Sequence, residues 1–116
     1  MTIRIDLPNG QVGPGKIGLL EQVAATGSIR KAAGAMKMSY RRAWLLLQSL
    51  EACFGAPLVE TMTGGRKGGG ARLSKLGAAV VRAYRTAEEG SARAAKVQLQ
   101  ALGKLAAQRL KAGKVK

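Results

Sequence analysis

The side chains best suited to chemistry in this sequence are hydrogen-bond donors, and they stand in two short clusters. The first cluster combines two hydroxyls with two guanidinium groups: Ser39, Tyr40, Arg41 and Arg42. The second places two cations beside small residues: Thr63, Gly64, Gly65, Arg66 and Lys67. Guanidinium groups offer paired N–H donors to phosphate oxygens or to the O6 and N7 atoms of guanine. Both clusters therefore point to recognition of a polyanion.

Residues for acid–base, metal or redox catalysis are scarce. The chain has no histidine, one cysteine and only six carboxylates, which do not cluster. Two glycine patterns, residues 10–16 and 13–18, imitate nucleotide-binding loops, but the first lacks a Ser or Thr after Lys16. No βαβ unit fits around either pattern, and such motifs need that context. We predict no catalytic residue, no metal site and no cofactor, so the chain is not expected to be an enzyme.

The charge balance agrees with an anionic partner. Twenty Lys and Arg against six Asp and Glu give a formal net charge of +14. A basic protein gains affinity for nucleic acid by releasing counterions from it, whereas a membrane protein needs a long apolar span. The longest uninterrupted apolar run is only Ala43–Leu47, and the first residues lack the apolar stretch of a secretory signal. We therefore expect no membrane association and a location in the cytoplasm or nucleoid.

Apolar spacing predicts the elements that hold these clusters. Ile3, Ile5 and Leu7 alternate with polar residues, which predicts a short strand that ends at the Pro8–Gly10 turn. A lone strand needs a partner, which we expect in a later hairpin or in another chain. A first helix is predicted from the helical spacing of apolar residues between Ile17 and Ala24, with Gly27 after its end.

Two further helices are predicted on either side of a tight turn. Ser28 is a suitable N-cap for a short helix that runs to about Met36. Ser39 is a suitable N-cap for a third helix that runs to about Phe54, with Gly55 as its stop. The first cluster of donors therefore occupies the first turn of the third helix.

A hairpin and a long helix follow. Pro57–Val59 and Ala71–Leu73 flank a segment with five glycines in seven residues, which predicts a β-hairpin with a flexible basic tip. Ser74 caps a long Ala-rich helix with an apolar stripe: Leu76, Val80, Ala83 and Ala87. Beyond Gly90 the chain is basic, and it either continues as an exposed helix or frays.

This order of elements predicts a mainly α fold with a small β-hairpin, namely a winged helix-turn-helix with a long C-terminal helix. We place the winged domain at residues 1–73 and the basic helix and tail at residues 74–116. A B-DNA major groove admits one α-helix, so the third helix is expected to read bases with Arg41 and Arg42. The wing is expected to contact the backbone or minor groove. The predicted contacts to double-stranded DNA are Ser28, Ser39, Tyr40, Arg41, Arg42, Thr63, Gly64, Gly65, Arg66 and Lys67.

Trp44, the only tryptophan, is expected to pack between the third helix and the preceding one rather than to stack on DNA. Leu45 beside it is an apolar residue in a helix that is expected to face DNA. It could touch a thymine methyl group or a partner protein.

The same residues resemble a known family. The matching segments are Gly27–Ile29, Ser39–Trp44, Leu58–Glu60, Thr63–Ala71, Leu73 and Gly77. They are similar to the N-terminal DNA-binding domain of the ModE family of molybdate-responsive transcription regulators, over about residues 15–88. A weaker similarity to LysR-type regulators rests on Ala32-Ala33, Ser39, Gly55, Pro57-Leu58, Leu73-Ser74 and Gly77.

The resemblance implies a winged helix domain that dimerises through the N-terminal strand region and the helix after the wing, which makes the long C-terminal helix a dimerisation helix. The dimer contacts that it implies on this helix are the residues of the apolar stripe: Leu76, Val80, Ala83 and Ala87. It also implies repression or activation at palindromic operators. The C-terminal molybdate-binding domains of the family have no counterpart in this sequence, so molybdate binding by this chain is not expected.

Two other functions fit the composition. A nucleoid-associated or RNA-binding basic protein would bind nucleic acid with little regard to sequence. An antagonist would form heterodimers with a full-length regulator through the helix from Ser74 onward, and its own homodimer would not bind DNA. Sequence-specific regulation instead predicts a preference for operator over random DNA of about a thousandfold or more.

Overall fold

The computed structural model describes residues 3–62 and 70–113, with side chains as far as residue 108. In these ranges the structure is mainly helical, with two small antiparallel hairpins. The elements in chain order are β1 (Ile5–Leu7), β2 (Gly10–Val12), α1 (Pro14–Thr26), α2 (Ile29–Ala35), α3 (Tyr40–Phe54), β3 (Val59–Met62), β4 (Gly70–Leu73) and α4 (Lys75–Gly113). The predicted fold class, a winged helix-turn-helix with a long C-terminal helix, is confirmed.

The first hairpin corrects one expectation. β1 pairs with β2 directly, with Ile5 opposite Val12 and Leu7 opposite Gly10. The prediction of a partner in a later hairpin or in another chain was therefore wrong. Pro8 and Asn9 form a two-residue turn, which lets the strand fold back at once onto the next three residues.

The helix boundaries follow the capping residues in the sequence. The Ser28 hydroxyl oxygen accepts a hydrogen bond from the Lys31 backbone N–H at 3.1 Å, at the start of α2. Ser39 does the same for the Arg42 N–H at the start of α3, also at 3.1 Å. α3 ends at Gly55, whose left-handed conformation (φ 76°) favours glycine because it lacks a Cβ atom. The predicted caps of both helices are confirmed.

A core of aliphatic side chains holds the three short helices together. α1 contributes Ile17, Leu19, Leu20 and Val23, all fully buried. α2 contributes Ala32 and Ala33, whose small side chains allow neighbouring helices to approach closely. The buried residues of α3 are Ala43, Leu47 and Leu50. They occupy one face of α3 and so determine which of its residues remain exposed.

The second hairpin is attached to this helical core at its base. β3 and β4 pair from Val59 opposite Leu73 to Met62 opposite Gly70. The Ala71 N–H donates to the Gly27 carbonyl at the end of α1, at 2.9 Å. The strands of the predicted wing are therefore confirmed, whereas its tip, Thr63 to Gly69, lies outside the described residues.

Ser74 begins α4 by accepting a hydrogen bond from the Gly77 N–H at 3.0 Å. The chain divides into two compact units, Thr2–Arg85 and a second one over Thr86–Lys116. In the second unit α4 continues to Gly113, so the helical alternative for the residues after Gly90 is correct. No helix in the described part of the chain combines the length and the apolar character needed to cross a membrane.

Candidate nucleic-acid interface

The exposed face of α3 lies opposite its buried stripe. Ala43 and Leu47 face the core, and successive residues rotate by about 100° around a helix. Arg41, Leu45 and Gln48 therefore lie on the face turned away from the core, and all three are exposed. Leu45 leaves 55% of its surface accessible, so an apolar side chain stands among the polar groups of this face. This face is the part of α3 that a large partner can reach.

Tyr40 and Trp44 lie on one flank of that face. Their rings meet edge to face with centroids 6.2 Å apart. The Arg30 guanidinium at the start of α2 lies 4.5 Å from the centroid of the Tyr40 ring, a distance at which a cation is attracted by the ring face. This contact holds a cation beside the first turn of α3, although the sequence analysis did not include Arg30 in the site.

A groove of about 440 Å³ separates this flank from the base of the wing. The residues that line it come from the start of α2, from α3 and from the hairpin: Ser28, Ile29, Arg30, Tyr40, Trp44, Thr61, Met62, Gly70 and Ala71. Trp44 is 37% exposed here. The expectation that Trp44 packs between two helices was incomplete, because the hairpin also lies beside its side chain.

The opposite flank of α3 carries Arg42 and Ser49. Arg42 lines a second groove, together with Arg4 from the segment before β1 and Lys16 from α1. The sequence analysis included neither Arg4 nor Lys16 in the site. Both residues are distant from α3 in the sequence, so no local sequence pattern could have indicated that they lie beside it.

The turn between α2 and α3 sets the angle at which α3 is presented. Lys37 has a positive φ of 57°, the only such residue other than glycine in the described chain. The Lys37 and Met38 N–H groups donate to the carbonyls of Gly34 and Ala33, at 3.1 and 3.0 Å. These bonds fix the turn, and they compensate for the strain of a left-handed lysine.

Four of the predicted DNA contacts lie at the N-cap and in the first turn of α3, namely Ser39, Tyr40, Arg41 and Arg42. The fifth, Ser28, caps α2 and lines the same groove as Tyr40. Neither Arg41 nor Arg42 forms an ion pair, because the pairs found between described residues join Arg72 to Glu60 and Arg85 to Glu21. The predicted wing contacts Thr63, Gly64, Gly65, Arg66 and Lys67 lie outside the described residues.

The structure places the predicted dimerisation residues in different surroundings. Leu76, Val80 and Ala83 line an apolar cleft of about 340 Å³ on the N-terminal part of α4. The other lining residues are also uncharged: Ile5, Leu7, Val12, Phe54, Ala79 and Tyr84. Val80 itself belongs to the core, and Ala87 lies in the second unit. Tyr84, which the sequence analysis did not identify, is buried here and donates from its hydroxyl to the Ile3 carbonyl at 2.5 Å.

Within residues 3–62 and 70–113 no three side chains of the His, Cys, Asp or Glu type lie close enough to share a metal ion. The half-buried thiol of Cys53 forms no disulfide. The described surface around the first turn of α3 offers cations, hydroxyls and exposed apolar groups.

Comparison with known proteins places this surface in a family. Residues 15–78 match the family described as "Bacterial regulatory helix-turn-helix protein, lysR family". The match covers α1 to the beginning of α4 and includes every predicted DNA contact.

Curated relatives extend the comparison. The chain is 42% identical over 67 residues to the molybdenum transport protein ModE of Herbaspirillum seropedicae, which covers 58% of this chain and 25% of that protein. It is 40% identical over 74 residues to the molybdenum-pterin-binding protein MopA of Rhodobacter capsulatus, with 64% and 28% covered. The DNA-binding transcriptional dual regulator ModE of Escherichia coli is 37% identical over 71 residues, with 61% and 27% covered. The chain thus matches about a quarter of the length of these relatives, and its resemblance to ModE is confirmed.

A solved structure shows the same fold. The DNA-binding domain of CbnR, determined in complex with DNA, superimposes with a TM-score of 0.56. The superposition covers 74% of this chain and 93% of that domain, at 24% sequence identity. The arrangement of helices and wing is therefore shared between chains whose sequences have largely diverged.

Proposed function

We propose that this chain, which belongs to the lysR family of bacterial regulatory helix-turn-helix proteins, is a transcription regulator that binds double-stranded DNA with sequence preference. The observation that carries the proposal is the exposed first turn of α3, where Arg41 is free of ion pairs and is turned away from the core. Regulation of this kind requires binding and no catalysis.

In this proposal α3 lies in the major groove. Arg41 offers two donors to a guanine, and Leu45 on the same face packs against a thymine methyl group. The Ser28 and Ser39 hydroxyl oxygens accept from backbone N–H groups, so each hydroxyl still has its own proton to donate to a phosphate. Tyr40 lies at the edge of the same turn, where it reaches the DNA backbone.

The wing would supply a second contact. The attachment of β4 to the end of α1 supports this, because it fixes the base of the hairpin beside α3. From there Thr63, Gly64, Gly65, Arg66 and Lys67 would contact the backbone or the minor groove. Such contacts position a protein on DNA and carry little sequence information.

We further propose that the chain acts as a homodimer in the bacterial cytoplasm, at the nucleoid. The winged domain would comprise residues 1–73, and the helix and tail of residues 74–116 would include the dimer contacts. The uncharged cleft lined by Leu76, Val80 and Ala83 supports a second copy as its occupant. Ala87 belongs to the same proposed set of dimer contacts by its place in the apolar stripe of the sequence. Two chains of charge +14 repel each other, so an uncharged apolar surface is the favourable place for them to meet.

Selection of bound duplexes from random DNA tests the function, with the full chain and with or without molybdate. We expect a consensus sequence, bound about a thousandfold or more tighter than random duplex. Arg41→Ala should cost about 1 to 3 kcal/mol on the consensus and relax the preference at one base pair. Arg82→Ala, on exposed α4 surface, is the control for loss of one charge.

Two results would overturn the proposal. Equal affinity for consensus and random duplex would indicate a packaging protein, which the high net charge also suits. Failure of the folded homodimer to bind any duplex would indicate an antagonist of a full-length regulator.

A further inference from the structure

A cluster of three cations lines the groove on the flank of α3 that faces away from the wing. The groove measures about 360 Å³. Arg4 approaches it from the segment before β1, Lys16 from the first turn of α1, and Arg42 from the first turn of α3. Three elements that are distant in sequence thus direct positive charge into one concave surface beside the recognition helix.

The ammonium group of Lys16 is held in place by neutral partners. Its Nζ atom donates to the Gln11 carbonyl at 2.9 Å and to the Ser49 hydroxyl at 3.0 Å. These bonds fix the position of the group without neutralising its charge. An ammonium has three donors, so one remains available to a further acceptor.

No carboxylate compensates the cluster. None of the residues lining the groove is acidic. Asp6 lies in β1, two residues after Arg4, but the two form no ion pair, since the ion pairs found among the described side chains involve other residues. Like charges that converge without a counter-charge raise the free energy of the folded protein, and a bound anion removes that penalty.

We propose that Arg4, Lys16 and Arg42 together bind a backbone phosphate of DNA, on the side of the recognition helix opposite the wing. The inference rests on the proposed function, and it assigns different roles to the neighbouring residues Arg41 and Arg42. Arg41 reads a base, whereas Arg42 turns toward the groove and contacts the backbone. Backbone contacts on both flanks of α3 would fix its register and tilt in the major groove.

The test measures the affinity of the full chain for DNA across a range of salt concentrations. The double variant Arg4→Gln/Lys16→Gln is compared with the wild type by fluorescence anisotropy, on the selected consensus duplex and on a random duplex. The slope of log K against log salt should fall by up to about 0.9, since the three cations neutralise a single phosphate. Affinity should fall by up to about eightfold at 0.1 M salt, and equally for both duplexes.

Matched variants separate the groove from net charge and from folding. Arg82→Gln/Arg93→Gln removes the same charge from exposed α4 positions and should leave the slope nearly unchanged. Arg4→Lys/Lys16→Arg retains the charge in the groove and should restore most of the slope. Thermal unfolding of every variant confirms that each is folded at the assay temperature.

Three outcomes would overturn the assignment while leaving the proposed function intact. One is an unchanged slope in the double variant, and another is an equal loss in the α4 control. The third is a loss of affinity for the consensus duplex alone, which would show that the groove contributes to base recognition. A wild-type chain that binds no duplex would overturn both proposals.

The same oxyanion chemistry could also come from free phosphate. Inorganic phosphate is therefore compared with chloride at equal ionic strength, with the unfolding temperature of the wild type as readout. If phosphate raised the unfolding temperature and the double variant kept the wild-type slope of log K against log salt, the groove would bind a free oxyanion and not DNA.

Discussion

Arg41 and Arg42 are adjacent and chemically identical, but the helix sends their side chains about 100° apart. Arg41 lies between Leu45 and Gln48 on the outer face, and Arg42 lines the groove that also contains Lys16. The sequence analysis treated the two arginines as equivalent base readers. Their directions depend on which face of α3 is buried, so the distinction emerges only once the core is known.

The different directions of Arg41 and Arg42 predict different effects when each is replaced by lysine. Lysine keeps the charge but lacks the rigid planar fork of donors with which arginine is pre-organised to read a guanine. Arg41→Lys should therefore lose about 1 to 3 kcal/mol of discrimination at one base pair, whereas Arg42→Lys should leave base preference unchanged. Competition between the consensus duplex and its single-base variants measures this, and each variant is the control for the other. Loss of discrimination in Arg42→Lys would show that both arginines read bases.

Gly77 is required by a close approach between α4 and the start of the hairpin. A Cβ atom at this position would lie 2.1 Å from the Leu58 carbonyl oxygen, which is backbone and cannot swing aside. We expect Gly77→Ala to lower the free energy of unfolding by about 3 kcal/mol or more, since the backbone must shift. Urea denaturation provides the measurement.

Gly34→Ala is the matched control. A Cβ atom at Gly34 meets no atom within 4 Å, and the residue lies within α2. Here alanine should raise the free energy of unfolding by roughly 0.5 to 1 kcal/mol. If both variants had the same stability, the close packing of α4 against Leu58 would be wrong.

At the scale of elements, α1 and the first part of α4 are joined by an ion pair. The Arg85 guanidinium donates twice to the Glu21 carboxylate, with N···O distances of 2.5 and 3.0 Å. These hydrogen bonds, opposed by partial burial and assisted by the charge of Arg85, lower the pKa of Glu21. The pair therefore stabilises the folded state when the carboxylate is ionised.

This pair predicts a pH-dependent effect of Glu21→Gln. Because the pKa of Glu21 is lower in the folded than in the unfolded chain, its contribution is complete above the unfolded value of about 4.3. It is lost as the pH falls through the lowered pKa. At pH 7 the substitution should cost less than about 1 kcal/mol, since both side chains are partly exposed and screened by solvent. Urea denaturation between pH 3 and 7 should show the difference from wild type disappear in acid.

The control for that experiment is Glu51→Gln. Glu51 is exposed on α3 and has no ion pair within the described chain. Its substitution should change stability little at any pH in the range. A Glu21→Gln effect that persisted at pH 3 would mean that packing, and not the charge of Glu21, holds the two helices.

For the whole molecule the central prediction is the dimer. Wild-type protein should have twice the chain mass of 12.1 kDa by light scattering. Ala83→Glu places a charge in the cleft that we propose as the interface, and it should shift the mass to that of a single chain. Ala25→Glu makes the same change at an exposed position of α1 and should remain dimeric. A wild-type mass of 12.1 kDa at micromolar concentration would contradict the homodimer.

Local sequence determined most of the elements. Ser28, Ser39 and Ser74 cap the helices that follow them, and glycines end α1 and α3, because capping depends only on residues within one turn. The helix-turn-helix order and the hairpin strands were predictable for the same reason, and the first turn of α3 was recognised as the candidate site.

Only the tertiary structure brought together residues that are distant in the chain. It joined Arg4 and Lys16 to Arg42, placed Arg30 over Tyr40, and set Trp44 against the base of the wing. It also paired β1 with the segment next to it. Such contacts depend on how packed elements are oriented, and no periodicity within one element encodes that orientation. The donor cluster at Ser39–Arg42 was therefore predictable from the sequence. The surroundings toward which each of its two arginines points are determined by the packing of the elements.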